Sequence, residues 1–265
     1  DPAGKPVMPA SVVLLAANEA GYENLMALNS CLYLDKGGQI VQVSMEELAA
    51  RSEGVICLSG GADGPVGRLL QSGHRARAEA LMTRFAEIYG DRLYVEVQRH
   101  PGEGGRLPEA EARSEREHIE FTYEIGLPLV ATNDVYFPKA EMYLAHDAMI
   151  CIAEGAYVDQ SQPRRRLTAQ HYFKTEAEMA TLFADLPEAL DNTVEIARRC
   201  AFAAYKRKPI LPKFADDEVQ ELRRQANAGL QARLAIIPHS VTPAEYQARL
   251  DFELDVIEKM GFPGY

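Results

Sequence analysis

Only four cysteines, Cys31, Cys57, Cys151 and Cys200, occur in the 265 residues, and no two of them form a CxxC pair. This usage argues against a zinc knuckle or a disulfide scaffold, and the mainly apolar surroundings assign them as buried free thiols. Long apolar runs are missing too: nothing approaches the ~18 consecutive apolar residues of a membrane helix. The opening DPAGKPVMPA has no basic region followed by an apolar one, so no secretory signal is expected and the chain is assigned to the cytoplasm. Positive charge is also in short supply. Lys plus Arg number 28 against 39 Asp plus Glu, a formal net charge of -11, which repels nucleic acid on average and disfavours a freestanding nucleic-acid binder.

What is present is ordinary for a globular protein: 47% hydrophobic and 25% charged residues. At about 150 residues per domain the length suits one large domain and an appendage. From residue 12 to about 151, short β-branched or apolar runs alternate with longer amphipathic ones, the rhythm of a parallel α/β domain. Strands are expected at 12–16, 40–43, 55–59, 92–97 and 128–132. Helices are expected around Tyr22, Leu25 and Leu28, after Ser44 with Glu47 closing a capping box, over His74–Tyr89, from about Pro108 to Glu124, and from about Lys139 to Ile152. Four or five strands cannot close an eight-stranded barrel, so the segment reads as the later part of a larger domain.

After residue 160 the strand signals fade into a helical appendage, with Thr175 and Glu178 forming one capping box and Asp185-Leu-Pro-Glu188 opening another helix. Between Cys200 and Ala215 there is no acidic residue, while Arg198, Arg199, Lys206, Arg207, Lys208 and Lys213 cluster around Pro209 and Pro212. This run reads either as a solvated linker or as a phosphate-backbone or interdomain contact. Two helices follow, over 219–236 and 243–260, the second with Thr242 as cap, Pro243 in the first position and Glu245 closing the box.

Ser59 with Gly60 and Gly61, Glu96 to His100, and Thr132 to Asp134 all fall at or just beyond the carboxyl ends of expected strands, the edge where α/β domains place their sites. LSGGADGPVG has neither phosphate-loop nor dinucleotide spacing, and Ser59 has no nucleophile-elbow context. The notable set is Glu96, His100, Asp134, His146 and Asp147, residue types that hold zinc or manganese for phosphoester hydrolysis. Residue types alone leave three readings open: an intact metal site, a vestigial one, or structural roles throughout, with His146 and Asp147 tying loops together.

Seven blocks in order, VVLLAANEAGYENLMALNS, GVICLSGG, RLYVEVQRH, GLPLVATNDVYF, AHDAMICI, LFADLPEALDNTVEIARRC and EKMGFPGY, resemble the alpha subunits of bacterial DNA polymerase III. The resemblance implies an α/β fold: residues 1–190 as the later portion of a PHP domain, a distorted (β/α)7 barrel whose first strands are absent, and 191–265 as a mainly helical linker leading into the palm and thumb region. It implies that the histidine-any-histidine metal motif and the magnesium-binding palm aspartates lie outside this sequence, so no catalytic residue of DNA synthesis is expected here. Where metal-binding relatives carry histidine, this chain has Ser11 and Tyr136, while Glu96, His100 and Asp134 match positions of the pattern. A degenerate site without tightly bound metal is expected. The implied parent activity is template-directed DNA synthesis with Mg2+. The implied partners are a proofreading exonuclease subunit on the PHP domain, other holoenzyme subunits and template-primer DNA. The alternative is a metal-dependent phosphoesterase or 3'-5' exonuclease using Zn2+ or Mn2+, and a noncatalytic protein-binding module is the third class.

Overall fold

The computed structural model describes residues 9–34, 41–208 and 210–265. They form two compact units, Asp1–Ala204 and Tyr205–Tyr265. The first is built on a four-stranded sheet in the order β1 (Val13–Ala16), β2 (Val55–Leu58), β3 (Leu93–Gln98), β4 (Leu129–Thr132). All of β2 is buried, as are the first five residues of β3. These are the β-branched and apolar runs that sequence alone marks as strands shielded on both faces.

One expectation is overturned by strand direction. β2, β3 and β4 run parallel, but β1 runs antiparallel to β2, with Val13 opposite Leu58 and Ala16 opposite Val55. An apolar run reports burial and carries no information about direction, so the parallel reading had no local support for β1. The reversal matters for position: Ser11, just ahead of β1, lies at the edge where β2 to β4 end. Residues 41–43 form no strand, and Ile40 lies outside the described residues.

Helices cover the sheet. α1 (Glu19–Tyr33) starts on Asn18, whose side chain accepts from the Gly21 N–H at 2.9 Å, and α2 (Met45–Ala50) on the Ser44–Glu47 capping box. A short helix not read from the sequence, α3 (Pro65–Gln71), follows the glycine-rich loop, with Pro65 in its first turn. α4 (Arg75–Tyr89) buries Ala78, Met82, Phe85 and Tyr89, one stripe at helical spacing. α5 (Glu109–Ile125) ends on Gly126 in the left-handed region, and α6 (Tyr143–Glu154) on Gly155 likewise.

α7 (Glu176–Leu182) and α8 (Pro187–Arg199) follow. α8 lies along β4, and Asn192 donates its amide to the Leu129 carbonyl at 2.7 Å, so it belongs wholly to the first unit. The boundary expected at 190 falls inside this helix, and the compact unit continues to Ala204.

In the second unit α9 (Glu218–Leu234) and α10 (Pro243–Lys259) form a hairpin. Arg223 joins them through Glu258 and, at 2.6 Å, Asp255, and Leu254 is buried between them. The Thr242–Glu245 capping box with Pro243 in the first turn is present as the sequence predicts.

Candidate functional site at the carboxyl edge of the sheet

Glu96 lies on β3 and is buried. Its Oε2 accepts from the Gly60 N–H at 3.0 Å, and its Oε1 accepts from the Gln98 amide at 3.1 Å and from the Thr132 hydroxyl. Its own N–H donates to Ser59 Oγ at 2.9 Å. Both carboxylate oxygens are therefore satisfied by neutral protein donors drawn from three neighbouring strand ends. Gly60 makes this approach feasible: it has φ +86°, and a Cβ there would lie 2.0 Å from the Ser11 carbonyl oxygen. That crossing places Ser11, through Gly60, beside Glu96.

His100, two residues past β3, is also buried. The Asp134 N–H donates to its Nε2 at 3.3 Å, so the neutral ring carries its proton on Nδ1, which faces Glu111 Oε1 at 3.3 Å. The His100 N–H donates to the other oxygen of Glu111 at 3.1 Å. His171 stacks on this ring, with centroids 3.9 Å apart and planes 9° from parallel. Burial, and then the neighbouring His100, push His171 down to about 4. Residues 168–174 hold it there as an extension of the β4 end: Tyr136 donates its N–H to the His171 carbonyl at 2.9 Å, and Asn133 its amide to the Tyr172 carbonyl at 2.7 Å.

Tyr136 sits edge-on to both His171 and His146, with centroids 5.9 and 5.6 Å away. Arg165 Nη2 approaches its hydroxyl at 3.5 Å, and the Asp134 carboxylate is near enough to act on it. Burial, then the Asp134 charge, raise the Tyr136 pKa above the ordinary phenol value, so its oxygen stays protonated. His146 is half-buried and its Nδ1 has no hydrogen-bond partner. Asp147 turns away from the edge: both its oxygens meet the Arg164 guanidinium at 2.6 Å, which holds its carboxyl below the usual carboxylate range.

The structure thus groups Ser11 with Glu96 through Gly60, and separately His100 with Asp134, Tyr136 and His146, while Asp147 enters an ion pair with the segment after α6. Among the described residues no three His, Cys, Asp or Glu side chains converge where they could hold a metal ion. The donors present do not fit a multinuclear centre. The Glu96 oxygens and both His100 ring nitrogens are spent on protein partners, and a protonated phenol at 136 offers no imidazole lone pair.

Sequence reasoning missed three residues. His171 lies in an irregular segment with no pattern to mark it. Arg99 reaches Glu115 on α5 at 2.5 Å, Asp185 at 2.5 and 2.8 Å, and the Leu182 carbonyl at 2.7 Å, with its guanidinium 4.7 Å from the Phe183 ring centre. His118 is buried on α5 with Nε2 unpartnered, and burial lowers it to about 4. Its signal was legible: Ser114, His118 and Thr122 recur every four residues, and all three are buried.

The basic run is divided. Arg199, at the end of α8, donates to the Asp91 carbonyl at 2.7 Å and the Tyr94 hydroxyl at 3.0 Å, so it is engaged within the first unit. Arg198 closes the same helix and is exposed. Lys206, Arg207 and Lys208 are exposed in the second unit, Lys213 pairs with Asp216 at 3.2 Å, and Pro209 lies outside the described residues.

The sheet order and the covering helices make this a mixed α/β protein, and the PHP domain family model matches residues 5–100. Along nearly its full length the chain is similar to DNA polymerase III subunit alpha: 49% identical to that of Caulobacter vibrioides over 261 residues, covering 96% of this chain. The Rickettsia bellii protein is 38% identical over 270 residues, covering 97% of this chain, and the Pseudomonas aeruginosa protein 39% over 269, covering 95%. The chain spans 22% of the length of each of these relatives. The resemblance carried by the seven blocks is borne out. No helix among the described residues is long and apolar enough to cross a membrane.

Proposed function

We propose that this chain is a segment of a replicative DNA polymerase III alpha subunit, a cytoplasmic DNA-directed DNA polymerase, and that the segment serves as scaffold and docking module. The observation that carries the reading is similarity to subunits of that name over 96% of the chain at 49% identity. In the whole protein, template-directed synthesis would join a primer 3'-oxygen to the α-phosphate of a deoxynucleoside triphosphate, breaking the α–β phosphoanhydride bond and releasing pyrophosphate and the hydroxyl proton, and Mg2+ would supply charge neutralisation. This segment's contribution is positional. The carboxyl edge of its sheet is a degenerate metal site, locked by hydrogen bonds at Glu96 and His100. Its surface receives a proofreading exonuclease subunit and other subunits of the assembly. Arg198, Lys206, Arg207, Lys208 and Lys213 face template-primer DNA or an adjoining domain.

Two measurements on the intact chain test this. Incubation with Mn2+ or Zn2+ and either p-nitrophenyl phosphate or an end-labelled oligonucleotide should give no turnover, and elemental analysis should find no stoichiometric metal. Metal-dependent release of phosphate or nucleotides would establish the phosphoesterase or exonuclease reading instead. Co-sedimentation with the exonuclease subunit should show a complex, and its absence would remove the docking role.

A further inference from the structure

Residues 133–174, between the end of β4 and Thr175 at the start of α7, form a body that shares no apolar core with the sheet among the described residues. Its buried residues Phe137, Ile150 and Cys151 belong to neither apolar cluster that packs around β1 to β4. α6 packs chiefly on the short turn that leads into it, Ala140–Met142. What holds the body together is internal and polar. Arg164 grips both oxygens of Asp147 and the Val158 carbonyl, Tyr136 donates its N–H to the His171 carbonyl at 2.9 Å, and Phe173 donates its N–H to the Phe137 carbonyl at 3.1 Å. The chain enters at Asn133 and leaves at Lys174, and these two points lie side by side. Asn133 donates its amide to the Tyr172 carbonyl at 2.7 Å, and Lys174 Nζ reaches Asn133 Oδ1 at 3.4 Å.

This body meets the sheet edge at His100. Two groups close over that ring, and both come from residues 133–174: the Asp134 N–H occupies Nε2, and the His171 ring covers one face. The group at the other nitrogen, Glu111, belongs to α5 and stays with the sheet. A compact body without shared apolar packing, joined by two adjacent strands of chain and closed at His100 by one long hydrogen bond and one ring stack, is built to hinge.

We propose that residues 133–174 are a hinged flap, turning on Asn133 and Lys174, that opens and closes over His100. Closed, it excludes water and takes both the Nε2 lone pair and one face of the ring. Open, it releases them together, while Glu111 keeps its place at Nδ1. What is then presented is a neutral imidazole backed by a carboxylate, which accepts a proton or an electrophile at Nε2. The lock on His100 is thus reversible, unlike the one on Glu96, whose donors Gly60, Gln98 and Thr132 all belong to the sheet and its loops.

Diethyl pyrocarbonate, which carbethoxylates neutral imidazoles, reads the opening on the 265-residue chain, with exposed His239 and buried His118 as references. His100 should be modified at least about tenfold more slowly than His239 and at least about tenfold faster than His118. Hydrogen exchange separates a hinge from local melting. The Tyr136 and Phe173 amides, bonded within the flap, should be protected at least about tenfold more than the Asp134 amide, which is bonded across the hinge to His100. His171→Ala, which removes the stack, should raise His100 modification and Asp134 amide exchange together by about tenfold and leave His118 unchanged, whereas a hole beside the ring would raise the first alone. His171→Phe should keep the parental rates. Equal modification of His100 and His118, equal protection of the three amides, or a His171→Ala variant that leaves Asp134 exchange unchanged or exposes His118 overturns the proposal.

Discussion

The imidazole planes of His100 and His171 lie 3.9 Å apart and within 9° of parallel, joining the end of β3 to a segment more than seventy residues later. Two rings this close and this buried cannot both be charged cheaply, and the proton on His100 is already directed at Glu111. His171, pushed down to about 4, stacks on this ring as a neutral imidazole. His171→Phe, which keeps a flat ring over His100, should leave stability within about 1 kcal/mol of the parent, whereas His171→Lys should cost about 2 kcal/mol or more. Urea midpoints measure both, and equal midpoints for the two variants would refute the stacking role.

Acid should destabilise the first unit through His118. Its folded value of about 4 lies below the 6.5 of an unfolded histidine, so the unfolded chain binds the extra proton between those values. The stability contributed by the neutral ring is complete above about pH 6.5 and is lost as pH falls toward 4, a loss on the order of 3 kcal/mol. His118→Leu should flatten the acid limb of a Tm-versus-pH curve over that window. A variant with the same acid slope as the parent would show that other groups carry it.

Gly60→Ala should be among the most damaging single-methyl additions in the chain. The position has φ +86° and faces the Ser11 carbonyl, so backbone strain and collision add, for an expected loss of about 2–4 kcal/mol. Gly73→Ala, also at positive φ but with open space around it, isolates the strain alone and should cost about 1 kcal/mol. Comparable losses at the two sites would mean that the β1 approach to Gly60 is looser than described.

Arg99→Lys is expected to behave almost as badly as Arg99→Ala. An ammonium cannot reach Glu115, Asp185 and the Leu182 carbonyl together or lie flat on Phe183. Either change should lower stability by about 2 kcal/mol and raise hydrogen exchange in α7 and the start of α8 before α4 responds. Uniform exchange across the unit would place the clamp elsewhere.

Adding one imidazole at this edge should not create a metal centre. Tyr136→His adds a ligand type, but Glu96 remains committed to Gly60, Gln98 and Thr132, and His100 to Glu111 and Asp134. Calorimetric titration with Zn2+ should show no submicromolar site in this variant. Tight stoichiometric binding would show that these hydrogen bonds yield readily to a metal.

Much of this molecule was written locally. The strands of the sheet, the capping boxes at Ser44, Thr175 and Thr242, the glycine stop at Gly126 and the stripe of α4 all follow from patterns a few residues long, because capping and periodicity are short-range physics. The edge residues Glu96, His100 and Asp134 were legible for the same reason, since strand ends place them. What only the tertiary structure decided lies between distant segments. The direction of β1, the stacking of His171 on His100, the reach of Arg99 to Asp185 and the turning of Asp147 toward Arg164 each join positions that no local pattern relates. A sequence names the groups available for chemistry; whether a carboxylate or an imidazole has a lone pair to spare depends on which donors packing brings to it.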